Sequence, residues 1–534
     1  MSFPIPTAAP SSSPAPASAQ RLARWIASPT FMGLFIFLLG LVAFTRNNQF
    51  RYYYHPDESG KVEQVAQGRR NFNHPLLMLT TTRLAITLSP VKKKHLSRQQ
   101  IVVFGRWVVA AFAAGSAVAL ALLARSLAGP LTGWVTGAAV LSDRLLFELA
   151  HYMKEDPVLV FGLAATLLAI RFLEENPSRN ALILLGTACA TAAAGKYIGL
   201  VCLPFGIAAV CSMQKSPLTI GRRLLIFGAA AVAAWLLFNP QILTKPALLF
   251  KGFGRETRIV VEGHKGLYQD VPHAYYLVHL RTTIPIWISA FAGLHLLHML
   301  FRPKGRSLSE WSAAGIAVIV LVLISCTPKT ASRYFLPLSV LTPFLASLGI
   351  GSLTRILPAN LRLRQGLCAG AHLAFLGAVW FSQSHALAAR NIGFTRESRW
   401  ALRSWVEQNL PENAVIAQDD RVNLPSPEKQ EHRAEKPMAQ KILRSEFVAD
   451  LAGEQGLSGL RSAGVTHVAV SSPTYERFFD GRFTPSPSVA DSYARRRQFY
   501  EDLFTRGQLL WSAPRGTIMH LEPGLRLYAL PLNP

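Results

Sequence analysis

The sequence predicts a polytopic α-helical membrane protein that ends in a soluble α/β module. Three observations predict it. The chain has 534 residues, 50% hydrophobic and only 16% charged, with a mean hydropathy of +0.25. Apolar runs long enough to cross a bilayer recur through the first 388 residues and then stop. The net charge of +25 is unevenly placed: residues 389–534 hold 19 basic and 17 acidic residues, and residues 1–388 hold 36 and 13. These values exclude an ordinary soluble domain. Cations concentrated in the membrane part point to anionic headgroups or lipid phosphates as partners, and no nucleic-acid motif accompanies them.

The elements follow in order. Residues 1–24 open with MSFPIPTAAPSSSPAPASAQ, a Pro/Ser/Ala-rich stretch expected to be a disordered cytoplasmic tail. The run after it ends in AFTRNNQF, which lacks a small-x-small cleavage site, so it reads as an uncleaved anchor. Eleven apolar runs lie near 26–45, 107–124, 130–147, 157–173, 180–195, 198–213, 223–238, 282–300, 311–326, 335–351 and 366–386. With the N-terminus in the cytoplasm, the short loops on that side carry fourteen Lys and Arg; those opposite carry only Lys154, Lys196, Lys329 and Arg333. This asymmetry sets the orientation by the positive-inside rule. The long first external loop, 46–106, pulls the other way with eleven basic residues, Lys92, Lys93 and Lys94 among them. They are read as snorkelling from helices on the membrane surface.

Residues 25–388 therefore form the membrane domain, and residues 389–534 an extracytoplasmic α/β module of ordinary domain size. WALRSWVEQNLPENAVIAQDD reads as helix, turn and strand, GVTHVAVSS and LRLYAL as strands, and PSPEKQEHRAEKP as a loop. The five cysteines lie in or beside apolar runs without C-x-x-C spacing, so they read as small buried hydrophobes.

Four external features fall on one face of the membrane: YYYHPDESGKVEQVAQG, which leads on to NFNHPLLML, then HYMKEDP, GKYIG and TASRYFLPL. Acids are scarce here, yet two adjacent pairs, Asp57–Glu58 and Glu155–Asp156, sit at the same interface. A carboxylate there can accept the proton of an attacking hydroxyl. Lys196 and Arg333, at the same depth, can hold an anionic leaving group.

This constellation resembles the family-39 glycosyltransferases, which include protein O-mannosyltransferases and aminoarabinose transferases and are membrane glycosyltransferases of the C type. The resemblance rests on a first-loop Asp-Glu, a downstream His-Pro, a second-loop acid before a span, K-Y-x-G and a late R-Y-x-L-P. It implies transfer of a sugar from a polyprenyl-phosphate donor to an extracytoplasmic hydroxyl on protein, lipid or glycan, with inversion and without a nucleotide sugar. Asp57 is then the general base or acceptor-orienting group, and Glu58 supports it. Asp156 positions the acceptor or a divalent metal bridged with Asp57, and Lys196 and Arg333 bind the donor phosphate. His55, His74, Tyr197 and Tyr334 line the cavity. The second loop reads Lys-Glu-Asp-Pro, so Glu155 is an alternative working acid. The expected location is the inner or plasma membrane.

Structural readings stand beside these. Asp57 is also an N-cap candidate and Asp156-Pro157 a helix start. Lys196 and Arg333 fit interfacial anchors, His74 fits an irregular loop, and EGHKGLYQD at 262–270 reads as loop or as a gate. The competing functions are an O-antigen-type ligase, which concentrates its chemistry in one late loop, and a lipid-linked glycan flippase, which places ionisable groups at mid-membrane. A scaffold is the non-catalytic alternative.

Overall fold

The computed structural model describes residues 26–51, 55–90, 96–213, 217–262, 267–269, 280–327, 331–356, 361–424, 438–481 and 483–531. The Pro-rich tail, Lys92–Lys94, Lys329, most of 262–270 and the polar loop 425–437 lie outside the described residues.

The apolar runs fall on helical segments, but 130–147 is divided at Ser142–Asp143 between two helices, and 198–213 between the 3-10 turn Tyr197–Val201 and a helix. The membrane part is built from α1 (Pro29–Thr45), α2 (Pro56–Gln67), α3 (Leu77–Leu88), α4 (Arg98–Ala128), α5 (Pro130–Leu141), α6 (Arg144–Ala150), α7 (Asp156–Glu175) and α8 (Arg179–Gly195). It continues with α9 (Cys202–Ser212), α10 (Pro217–Phe238), α11 (Pro246–Glu262), α12 (Ile286–Phe301), α13 (Leu308–Ser325), α14 (Leu336–Ile356) and α15 (Leu361–Gly393). Among the described residues, α4, α7, α10, α13 and the segment Ser332–Ser352 are long and apolar enough to cross a membrane.

Local chemistry starts these helices. Ser28 accepts from Phe31 N–H ahead of Pro29, and Ser97 and Gln100 form a reciprocal capping box on α4. Gly68, at φ 70°, closes α2 in the left-handed conformation. Small residues let the helices approach. A Cβ on Gly162 of α7 would lie 2.2 Å from the Ala192 nitrogen of α8, and one on Gly199 would lie 2.1 Å from the Ala192 oxygen. That closeness fixes the α7–α8 pair, whose adjoining ends carry Asp156 and Lys196. Large apolar side chains remain exposed on α10 (Leu218, Leu225, Val232, Leu237) and α15 (Trp380, Phe381).

The eleventh run continues as a single 33-residue helix to Gly393, so the change in composition at 389 falls inside α15. Beyond it come α16 (Ser398–Asn409) and a five-stranded sheet in the order β3 (Lys441–Ser445), β2 (Val415–Asp419), β4 (His467–Ser471), β7 (Pro523–Ala529) and β6 (Gln508–Arg515). β3, β2 and β4 are parallel; β7 and β6 are antiparallel additions. Separate apolar clusters flank the sheet, one of them packed under the long helix α17 (Ala490–Arg506). Phe394, Ile518 and Leu521 belong instead to the core of the membrane bundle. β1 (Leu267–Gln269) pairs antiparallel with β5 (Phe483–Pro485), so part of the segment expected as plain loop is a strand.

The basic residues of 46–106, expected to snorkel, do not all do so. Arg106 is fully buried against Glu58, Lys61 is buried against Glu155, and Arg98 pairs with Glu63. Their carboxylate partners draw them inward, away from the lipid surface.

Candidate active site

Helix α2 starts just past α1 and turns its first residues toward the ends of α7 and α8. Pro56 occupies the first turn, and the His55 ring, at Nδ1, accepts the Asp57 N–H at 3.2 Å. His55 is therefore the cap, and Asp57 is the first-turn acid it holds. The α7–α8 pair brings up Asp156 at the first turn of α7 and Lys196 at the C-cap of α8. The 3-10 turn Ser332–Phe335, leading into α14, contributes Arg333 and Tyr334.

These elements enclose a cavity of about 310 Å³ lined by the polar side chains of Asp57, His74, Lys154, Glu155, Asp156, Lys196 and Arg333. Ile198, Phe253, Leu323 and Ile324, with Tyr197 and Tyr334, supply its apolar lining. Of the residues singled out in the sequence, the structure brings Asp57, Glu155, Asp156, Lys196, Arg333, His74, Tyr197 and Tyr334 to this one cavity.

It does not bring the other two. Glu58 is fully buried, receives Arg106 Nε and Nη2 at 2.9 and 2.7 Å, and accepts Met153 N–H at 3.0 Å. With its oxygens so engaged it anchors α2 to α4 and to the loop before α7, and offers nothing to a substrate. His55 does not line the cavity either. It is packed against the rings of Tyr152 and His520 at 4.5 and 4.2 Å.

The cavity carboxylates are paired with amines: Asp57 with Lys154 at 2.6 Å, Glu155 with Lys61 at 2.7 Å, and Asp156 with Lys196 at 2.5 Å. Lys196 also lies 4.9 Å from the Tyr334 ring, and the Arg333 guanidinium 5.3 Å from it. The Tyr197 hydroxyl donates to Phe72 O at 2.7 Å, and its ring meets Phe253 edge-on. Burial would raise the Asp57 carboxyl, but Lys154 above all, then His55, Lys61 and Arg333, outweigh it and hold it far below the usual carboxylate range. Glu155 is likewise held low, because Lys61 and His74 outweigh its burial. Burial and neighbouring Arg333 push the Lys154 ammonium down to about 8, against the pull of Asp57. Burial also lowers His74.

The donor set does not fit a shared divalent metal. Asp57 and Asp156 are tied to different lysines, and no group of three or more His, Cys, Asp or Glu side chains among the described residues is placed to hold an ion.

Several participants escaped the sequence reading. Lys154 stands inside HYMKEDP, beside the acids. Lys61 follows Asp57 by four residues on α2, the spacing that brings side chains to one helix face. Phe253, Glu256 and Thr257 of α11 also line the cavity, and no motif marks them.

The sequence profile of the dolichyl-phosphate-mannose-protein mannosyltransferase family matches residues 91–244. This stretch contains the second-loop acids and Lys196. The fold is similar to that of ArnT from Cupriavidus metallidurans in the apo state, at 12% identity and a TM-score of 0.51 over 96% of this chain and 98% of that one. The likeness is one of fold, and the family profile spans less than a third of the chain. The same ArnT bound to undecaprenyl phosphate aligns at 13% identity and a TM-score of 0.48, over 96% of this chain and 98% of that one. An Archaeoglobus fulgidus oligosaccharyltransferase complexed with zinc and sulfate aligns at 11% identity and 0.48, over 94% and 74%. A comparison with curated protein sequences finds no match.

Proposed function

We propose that this protein is a C-type membrane glycosyltransferase of the family-39 kind, which moves a sugar from a polyprenyl-phosphate donor to an extracytoplasmic hydroxyl, with inversion at the anomeric carbon. The observation that carries the reading is the lining of the cavity, which is of two kinds: carboxylates and cations, and aromatic and aliphatic side chains. A lipid monophosphate sugar has the same division, with a charged head and an isoprenoid tail. The matched family's description, which names a dolichyl-phosphate sugar, supports the same donor class.

The residues divide the chemistry. Lys196 and Arg333 take the donor phosphate, Lys196 exchanging Asp156 for it, and Asp156 is released toward the acceptor. Phosphate near Lys154 competes with Asp57 for the ammonium. Weakening that pair raises the basicity of Asp57 when the donor arrives. The acceptor hydroxyl then donates to Asp57 as its oxygen bonds to the anomeric carbon, on the face opposite the phosphate. The bond from that carbon to the phosphate oxygen breaks, and its electron pair leaves with the polyprenyl phosphate. The proton passes to Asp57, and the cations hold the charge that develops on the leaving group. Glu155, locked to Lys61, shapes the wall.

The site then faces the extracytoplasmic side of the inner or plasma membrane, with the N-terminus in the cytoplasm, about eleven spans and the α/β module outside. The sugar is a hexose or pentose, and the acceptor is a protein, lipid or glycan hydroxyl.

The test is release of undecaprenyl phosphate from undecaprenyl-phosphate sugars by the enzyme in nanodiscs. Asp57→Asn should cut turnover at least about 100-fold while the protein still folds. Normal turnover in that variant removes Asp57 from the mechanism. Native mass spectrometry should show bound undecaprenyl phosphate in the wild type and its loss in Lys196→Ala/Arg333→Ala; equal binding in both refutes the phosphate clamp.

A further inference from the structure

We infer that His520, in the C-terminal module, is a positioning residue for Asp57, acting through the His55 cap; the inference rests on the proposed role of Asp57. The turn between β6 and β7, residues 516–522, reaches down into the membrane bundle. Ile518 and Leu521 are both fully buried there. A Cβ on Gly393 would come within 2.8 Å of Ile518, and Ser398 N–H donates to Leu521 O at 3.2 Å. The turn is thus seated at the end of α15 and the start of α16.

Between these anchors lies His520. Its ring centroid is 4.2 Å from that of His55, with the planes tilted by 58°. On its other side its Nδ1 accepts Arg421 Nη1–H at 3.3 Å, and Arg399 donates to the His520 carbonyl. Arg399 Nε also donates to Arg421 O at 2.7 Å, so the support is a closed set of contacts. An arginine has no acceptor to offer, so His520 Nδ1 is unprotonated. The two histidines can therefore pack as neutral rings, in keeping with burial, which lowers both.

The consequence for Asp57 is geometric. His55 Nδ1 must face the Asp57 N–H to cap α2, and its ring packs on both Tyr152 and His520, which meet each other edge-on at 5.9 Å to close a three-ring cluster. Without the His520 ring, the cluster loses one of the two rings that pack on His55. The ring can then turn away, the first turn of α2 loosens, and the carboxylate moves with it. Glu58 still ties the helix to Arg106, so the loss is confined to the aim of Asp57. Displacements of about 1 Å can cost two orders of magnitude in rate while leaving binding intact. The module thereby completes a site made otherwise of membrane-domain residues.

The experiment uses the full chain in nanodiscs. His520→Ala should speed hydrogen exchange at residues 56–60 about 10-fold, with the α7 and α8 peptides unchanged. It should lower turnover about 10- to 100-fold with undecaprenyl phosphate affinity unchanged. His520→Phe, which keeps a ring against His55, should restore most of both, and Arg495→Ala, elsewhere on the module, should change neither. In an Asp57→Asn background, His520→Ala should add no further loss of rate. Unchanged exchange at 56–60, or wild-type turnover in His520→Ala, overturns the inference. So does a parallel loss of turnover, lipid affinity and melting temperature that His520→Phe fails to rescue. If Asp57→Asn turns over like wild type, the catalytic reading of Asp57 has failed, and the exchange data still decide the contact.

Discussion

The Lys154 ammonium lies 2.6 Å from the Asp57 carboxylate, and its side chain is only 2% exposed, whereas Asp57 is 40% exposed to the cavity. The buried partner is thus the cation, and the acid is the one that can meet a substrate. Burial brings Lys154 down to about 8. As the pH rises through that value, Lys154 loses its charge and the cavity loses one cation. Asp57 is held far below neutrality and stays ionised throughout. Undecaprenyl phosphate affinity should therefore fall above about pH 8. Lys154→Arg, which keeps its charge, should flatten that limb, as titration of binding against pH will show.

The adjacent acids should separate by phenotype. Asp57→Asn is expected to abolish turnover with little change in melting. Glu58→Gln leaves Arg106 buried with its anionic partner removed, and the loss of one member of a buried pair costs about 3–5 kcal/mol. Denaturant unfolding of the two variants in detergent checks this; equal stabilities would refute the anchor role of Glu58.

Asp156 and Lys196 hold each other at 2.5 Å. Asp156→Asn removes the competitor for Lys196, so undecaprenyl phosphate affinity should hold or rise as turnover falls. Lys196→Met should lower affinity. Native mass spectrometry combined with initial rates separates these outcomes.

The α7–α8 contact should be intolerant of bulk. A Cβ on Gly162 meets the backbone of Ala192 at 2.2 and 2.3 Å, so the helices must part to accept Gly162→Val. Overpacking of this kind costs about 1–3 kcal/mol. It also draws Lys196 off Asp156, so both melting temperature and turnover should drop.

Orientation is open to direct labelling. A cysteine at Ser59→Cys, in the first turns of α2 and half-buried, should react with an impermeant maleimide added outside intact cells. Labelling only after the cytoplasmic side is opened would invert the proposed topology.

The sequence by itself determined what periodicity and composition encode. The apolar runs and an α/β pattern expected from 389, which the structure begins after Gly393, follow from local hydrophobicity and caps, which need no distant partner. The two acid pairs, Lys196 and Arg333 were also legible, because charge is rare in a membrane domain and stands out there. Tertiary structure alone decided which acid faces the cavity. Asp57 and Glu58 are neighbours in sequence, but successive helix residues point about 100° apart. One of them opens to the cavity, and the other meets Arg106, 48 positions away. Likewise, only folding pairs Lys61 with Glu155 and sets His520 against His55. Contacts across such separations arise from the packing of whole elements, and no pattern within a window of residues records them.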